Sequence, residues 1–289
     1  MSASNARGAI AELVDSLGNG PLFVHSDPFA AARLVARSRD KFKLLESHVA
    51  LLLRAAGERP VWLPAFNYDF TRTGLFDIVA DPVQLGPLPE HFRKSHADWR
   101  SEIPIFSMTG TGRAPSAKFG PLTDPFGESS AFAELARNDG VILYYGDTFH
   151  FNTIVHYAER LTGGPPYRYD KVFAGVVRHP DGSTTEGSLK YHVRPLGTGL
   201  DYDWPAILER AVQAGACRQL EDFPEILAAP AGVLTEFFVG EMRRDPLGLL
   251  DSKSRAWVEP ALDELGRRFL ISDFESSKPL VTRMGTGVR

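Results

Sequence analysis

The sequence predicts an α/β protein, on three observations. Amphipathic segments bounded by helix start and stop signals alternate with short apolar runs. Those runs deliver the chain directly into new helix starts, the order expected when helices pack on a sheet. One strong turn signal, His179-Pro-Asp-Gly182 between two β-rich segments, adds a hairpin.

Each element has its own warrant. Residues 6–17 space their apolar side chains as an amphipathic helix closed by Gly18, and residues 21–25 (PLFVH) follow as a buried strand. Ser26-Asp27-Pro28 predicts a helix start, with Asp27 as the cap and Pro28 at the first helical position. A long helix is predicted over 40–56 and, after Gly57, a strand over 60–66. Glycine and proline punctuate 67–127, which reads as loop; such long segments inside a domain tend to carry function. Order resumes with a helix over 128–138, an apolar strand over 141–145 and a helix opening near Asn152. Strands at 172–177 and 188–193 flank the hairpin turn, and helices follow at 204–214, 232–243 and 254–269. A single domain is expected over 1–276, with a flexible tail over 277–289.

Composition removes whole classes of function. The 289 residues carry 32 Lys plus Arg against 36 Asp plus Glu, a net charge of −4. Nucleic acid is not an expected partner, since phosphate neutralisation needs a basic surplus. No apolar run approaches the roughly 18 residues of a membrane span, and residues 1–10 do not resemble a secretion signal. The single cysteine, Cys217, excludes an internal disulfide and reads as structural. A cytoplasmic location is expected.

The richest stretch is Val141-Ile-Leu-Tyr-Tyr-Gly-Asp-Thr-Phe-His-Phe-Asn-Thr-Ile-Val-His-Tyr-Ala-Glu159. If Asn152 caps the helix, then Asn152, His156 and Glu159 share one face. An imidazole oriented by a carboxylate is a suitable general base near neutral pH. The same spacing also fits an incidental helical ion pair. Ser26 and Asp27 could offer a helix start to an anion, although the Asp27 carboxylate opposes this and suits an ordinary cap. Ser107-Met-Thr-Gly-Thr-Gly-Arg113 offers hydroxyls, flexible backbone and a cation, but matches no nucleotide fingerprint. His150 and His156 fit no common metal spacing, so no metal is expected. No GxSxG elbow is present.

Taken together, these residues resemble the antibiotic N-acetyltransferase family, the aminoglycoside 3-N-acetyltransferase type, distinct from the GNAT fold. The similarity runs in order along the chain, through Phe23-Val-His-Ser26, Leu63-Pro-Ala-Phe66, Gly86-Pro-Leu-Pro-Glu-His-Phe-Arg93 and Arg100-Ser101 with Pro104 and Ser107. It continues through Asp124-Pro-Phe-Gly-Glu-Ser-Ser130 and Ala214-Gly-Ala-Cys-Arg218. Its most specific part is Asn152-Thr-Ile-Val-His-Tyr-Ala-Glu159, which resembles the family's NTxxHxAE helix.

The resemblance implies a central mixed sheet flanked by helices and an acyl-CoA-dependent N-acyltransferase. His156 would be the general base in direct transfer, with acetyl-CoA or another acyl-CoA as co-substrate and no metal. Glu128 or Glu159 would orient the imidazole or hold the cationic amine; Asn152 and Thr153, or backbone N–H groups near Ser26 and Ser107, would donate to the thioester oxygen. His25, Ser26, Asp27, Ser107, Thr109, Gly110 and Gly112 would hold the pantetheine and pyrophosphate.

Departures at Ile103, Asp27, Ala65 and the Gly146-Asp-Thr-Phe-His150 turn suggest altered specificity. With a net charge of only −4, a surface-polysaccharide or nucleotide-linked amino sugar is as reasonable an acceptor as an aminoglycoside antibiotic. The alternative is a non-catalytic relative that binds CoA or an amino sugar. The partners expected are thus a small-molecule amine and neither nucleic acid nor membrane; homo-oligomerisation is left open.

Overall fold

The structure is a computed structural model in which residues 3–275 are described; the tail expected over 277–289 lies outside them. Helix α1 (Ala3–Asp15) leads to β1 (Leu22–Ser26), then to α2 (Lys41–Ala56) and β2 (Val61–Pro64). Asp40 starts α2 by accepting from the backbone N–H groups of Phe42 and Lys43. Next come α3 (Phe70–Thr73), β3 (Leu75–Asp77), α4 (Pro87–Ser95), β4 (Trp99–Arg100), β5 (Met108–Thr111), α5 (Ala131–Arg137) and β6 (Val141–Tyr145). The short helix α6 (Val155–Leu161) precedes the hairpin β7 (Tyr169–Arg178) and β8 (Thr184–Val193). The last described elements are α7 (Trp204–Gln213), β9 (Arg218–Gln219), β10 (Ile226–Pro230), α8 (Ala231–Arg244), α9 (Ser252–Leu265) and α10 (Ile271–Phe274).

Seven strands form one mixed sheet in the order β4-β5-β2-β1-β6-β10-β9, with β1 parallel to both β2 and β6. A second sheet pairs β3, β7 and β8, with β7 and β8 antiparallel through the expected turn. Strand periodicity of two sorts the core into two layers. Leu22, Val24, Leu63, Leu143 and Tyr145 pack with α1, α2 and α4 through Ile10, Val14, Val49, Leu52 and Phe92. Phe23, Trp62, Ile142 and Tyr144 face the other way, onto a layer that includes Phe126, Phe132, Val155, Leu189 and Phe238. Each such side chain contributes roughly 1.5–3 kcal/mol when fully buried, so both faces of the sheet are committed to core.

Three expectations are corrected. First, the segment 67–127, although mostly loop as expected, also carries the short elements α3, β3, α4, β4 and β5. Gly86 and Pro87 start α4, because proline at the first helical position sacrifices no hydrogen bond. Gly110 is a strand residue: an added Cβ would sit 2.4 Å from the Val61 carbonyl and 2.5 Å from the Trp99 ring. Ser107-Met-Thr-Gly-Thr-Gly112 is therefore largely strand β5. Second, Asp27 closes a turn by accepting from Phe29 and Ala30 N–H, and a single 3-10 turn (Ala32–Leu34) replaces the expected helix. Third, Asn152 does not cap α6; it ends a 3-10 turn (Phe149–Phe151), and the helix begins after Ile154.

Candidate active site

The parallel pair β1 and β6 delivers the chain to the same end of the sheet, and the turn after β6 leads into α6. That turn needs Gly146. Its φ is +94°, and a Cβ there would approach the Asp27 carbonyl to 2.2 Å. Helix α6 packs on α8, and its buried side also reaches the end of β8.

On this helix His156 and Glu159 are three residues apart, and Nδ1 of His156 lies 2.7 Å from Oε2 of Glu159. Glu159 is fully buried, while 24% of the His156 side chain is open. The carboxylate gathers further donors from three later points of the chain. His192 Nε2, on β8, lies 2.5 Å from Oε2; Arg168 Nε lies 3.1 Å from Oε1; and the Tyr202 hydroxyl donates to Oε1. Arg168 also reaches the Tyr202 hydroxyl at 3.1 Å. The Phe126 ring covers the imidazoles at 5.0 Å from His156 and 5.9 Å from His192.

The electrostatics follow from this packing. Burial alone would raise the Glu159 carboxyl, but Arg168, His156 and His192 together hold it well below the usual carboxylate range. Burial pulls His156 below its ordinary value against the opposing pull of Glu159, which favours the neutral ring. His192 is lowered to about 4 by the same burial. An ionised Glu159 makes Nδ1 of neutral His156 the proton-bearing nitrogen and leaves Nε2 with its lone pair. This arrangement can accept a proton at Nε2 and stabilise the imidazolium formed.

The remaining residues singled out in the sequence divide into two groups. Both side-chain polar atoms of Asn152 are buried without a partner, as are His25 Nε2, Ser26 Oγ and the Tyr144 hydroxyl. His25 stacks on Tyr144 with centroids 5.5 Å apart, and Thr153 is buried with its hydroxyl on the Phe151 carbonyl. Buried polar groups are ordinarily satisfied, so this set at and just beyond the carboxyl ends of β1 and β6 invites a polar ligand. The Ser107 and Thr109 hydroxyls are otherwise engaged: Ser107 donates to the Ala65 carbonyl at 2.6 Å and Thr109 to the Trp99 carbonyl at 2.8 Å. Gly112 occupies a turn against Pro60, and the Asp27 carboxylate is spent on its own turn.

Glu128 does not join His156. It is exposed and lines a groove of about 970 Å³ between the 113–120 segment and α5. Of the groove's carboxylates, Glu134 is paired with Arg113 at 2.6 Å and Asp124 with Arg160 at 2.8 Å. Arg160 lies on α6, and Phe126, between groove residues Pro125 and Gly127, touches His156, so one wall of the groove backs onto the catalytic candidate.

Arg168, His192 and Tyr202 are absent from the sequence-based set. The latter two lie 33 and 43 residues from Glu159 along the chain. The available signal was weak: His192 and Arg168, both nearly fully buried, sit at or beside the ends of hairpin strands whose other residues mix polar and apolar side chains.

The family model of aminoglycoside 3-N-acetyltransferases matches residues 56–238. No curated protein matches by sequence. Among solved structures, aminoglycoside acetyltransferase AAC(3)-Xa superposes with a TM-score of 0.63 at 20% identity, covering 84% of this chain and 93% of that one. AAC-IIIb, solved as a binary complex with CoASH, gives 0.63 at 23% identity, over 82% of this chain and 96% of that one. A variant of AAC(3)-IVa in complex with apramycin gives 0.59 at 19% identity, over 84% and 93%. These likenesses establish the fold, and the family model, spanning more than half of the sequence, establishes that the chain belongs to the aminoglycoside 3-N-acetyltransferase family and is an acyl-CoA-dependent N-acyltransferase of that kind.

Proposed function

We propose that this enzyme transfers an acetyl group directly from acetyl-CoA to one primary amine of an amino sugar, with His156 as general base. The carrying observation is the fixed His156–Glu159 pair, 2.7 Å apart, which leaves Nε2 as the only free acceptor on the ring. Acyl-CoA supplies the activated acyl group as a thioester. His156 Nε2 takes the proton released as the amine nitrogen bonds to the acyl carbon, and the imidazolium returns it to the departing sulfur as the C–S bond breaks. The unpartnered Asn152 amide supports a role as donor to the thioester oxygen, whereas the neighbouring Thr153 hydroxyl is held by the Phe151 carbonyl. His25 and Ser26 are the residues offered to the pantetheine arm, because their polar atoms are buried and unpartnered.

Glu128 is the group offered to the acceptor. Three carboxylates line the groove, Asp124, Glu128 and Glu134, against three cations, Arg113, Lys118 and Arg137. Two of those carboxylates are held by arginines, leaving Glu128 for a ligand ammonium. A balanced groove suits an amino sugar of low charge, from a surface polysaccharide or a sugar nucleotide, better than a polycationic antibiotic. Free thiol release from acetyl-CoA in the presence of matched amine panels tests this. Turnover with amino sugars exceeding that with aminoglycosides is the expected result; thiol release with aminoglycosides alone would overturn the acceptor assignment, and none with any amine would overturn the activity.

A further inference from the structure

A second histidine–carboxylate cluster lies on the opposite face of the large sheet. Glu46 projects from α2; His91 lies on α4 and His96 at its carboxyl end. Both imidazoles point their Nε2 atoms at one carboxylate oxygen, Oε2 of Glu46, at 2.9 and 3.0 Å. The three potential ligand atoms lie within 4.8 Å of one another. We propose that Glu46, His91 and His96 form a binding site for a divalent transition metal of the zinc type, clamping α4 to α2.

Ligands about 2.0–2.2 Å from a tetrahedral zinc stand roughly 3.3–3.5 Å apart, so a widening of less than about 0.6 Å opens these contacts to an ion. Two imidazoles and one carboxylate are a donor set that zinc accepts, with water completing the shell. The carboxylate is 41% open, which leaves a path for that water. Phe42 meets the His91 ring edge-on at 5.0 Å, and Phe92 stacks on His96 at 6.2 Å, giving the site the apolar shoulder that metal centres favour.

The His156–Glu159–His192 cluster has similar spacing but a different occupant. There the Arg168 guanidinium, 3.1 Å from Glu159, already supplies the positive charge. Sequence spacing gave no hint of the new site, because Glu46 is 45 and 50 residues from its partners. Its place in the fold suggests a structural role. Helix α4 runs directly into β4, whose Arg100 braces the Ala65 carbonyl at 2.8 Å and the Ser107 hydroxyl at 3.2 Å.

The test uses untagged full-length protein stripped by chelator and titrated with Zn²⁺, with Mg²⁺ as the control. Bound metal is counted by elemental analysis and unfolding is followed by heating. One zinc per chain is expected, with a Tm rise of about 5 °C at a hundredfold excess over Kd. Cobalt substitution should give visible absorption. His91→Ala, His96→Ala and Glu46→Gln should each lose the zinc-dependent rise, whereas His156→Ala should keep it. Glu46→Gln preserves size and polarity, and its metal-free Tm should stay within about 2 °C of the stripped wild type. No retained zinc in the wild type, or zinc that survives His91→Ala and disappears with His156→Ala, would overturn the proposal.

Discussion

Glu159 Oε2 stands between two imidazoles, 2.7 Å from Nδ1 of His156 and 2.5 Å from Nε2 of His192. Only the first ring reaches solvent, so one carboxylate holds one accessible histidine and one buried brace. This asymmetry sets the order of expected mutational effects.

Replacing His156 by Ala should lower kcat by about 10²–10⁴-fold while leaving the fold intact, since general-base removal costs that much. Thiol release with saturating substrates, together with an unchanged circular dichroism spectrum, measures it. Full retained activity would remove His156 from the mechanism.

Glu159→Gln should do more than slow the reaction. It leaves Arg168 buried without its counter-charge, and breaking one side of a buried ion pair costs about 3–5 kcal/mol. The urea midpoint should fall markedly, and the Glu159→Gln, Arg168→Met double variant should lose less stability than the sum of the singles. Additive losses would show that the pair is not coupled.

Asn152→Ala tests the oxyanion role against a packing role. Loss of one donor to the developing charge should reduce kcat by about 10²–10³-fold with little change in KM for acetyl-CoA. A variant with altered KM alone would place Asn152 in binding instead. Glu128→Gln should show the converse pattern, a raised KM for the amine at nearly constant kcat.

Stability should fall with acidification in a defined window. Burial lowers His25 to about 3, with the charge of His150 adding to it, and lowers His48 and His192 to about 4. Each is neutral in the folded chain but takes a proton near pH 6.5 once unfolded. The unfolded state therefore binds more protons below pH 6.5, and stability present above that value is lost at up to about 1.4 kcal/mol per pH unit per group. The loss continues as pH falls toward the folded values. Equilibrium denaturation at pH 8, 6 and 5 checks this, and constant stability across the series would contradict it. His156, also lowered, should give kcat/KM an acidic limb whose midpoint lies below 6.5.

Local signals fixed a good part of the architecture. The Asp40 cap, the apolar run 141–145 and the His179–Gly182 turn each specify their element through contacts a few residues long, and the structure carries all three. His156 and Glu159 were legible for the same reason, being one helical turn apart. Segment 67–127 was less so, because Gly and Pro mark a helix start and a packed strand there as readily as loops.

The sequence by itself determined the α/β class, the family and the paired His156 and Glu159. Only the tertiary structure decided what surrounds that pair. Arg168, His192 and Tyr202 converge because the link before the hairpin, its second strand and the loop after it fold back over α6, and such convergence leaves no periodic trace in the chain. The same reason separates Glu128 from His156 and spends the Ser107 and Thr109 hydroxyls on neighbouring backbone: burial and hydrogen bonding between distant segments, not residue type, set which polar atoms remain free for a ligand.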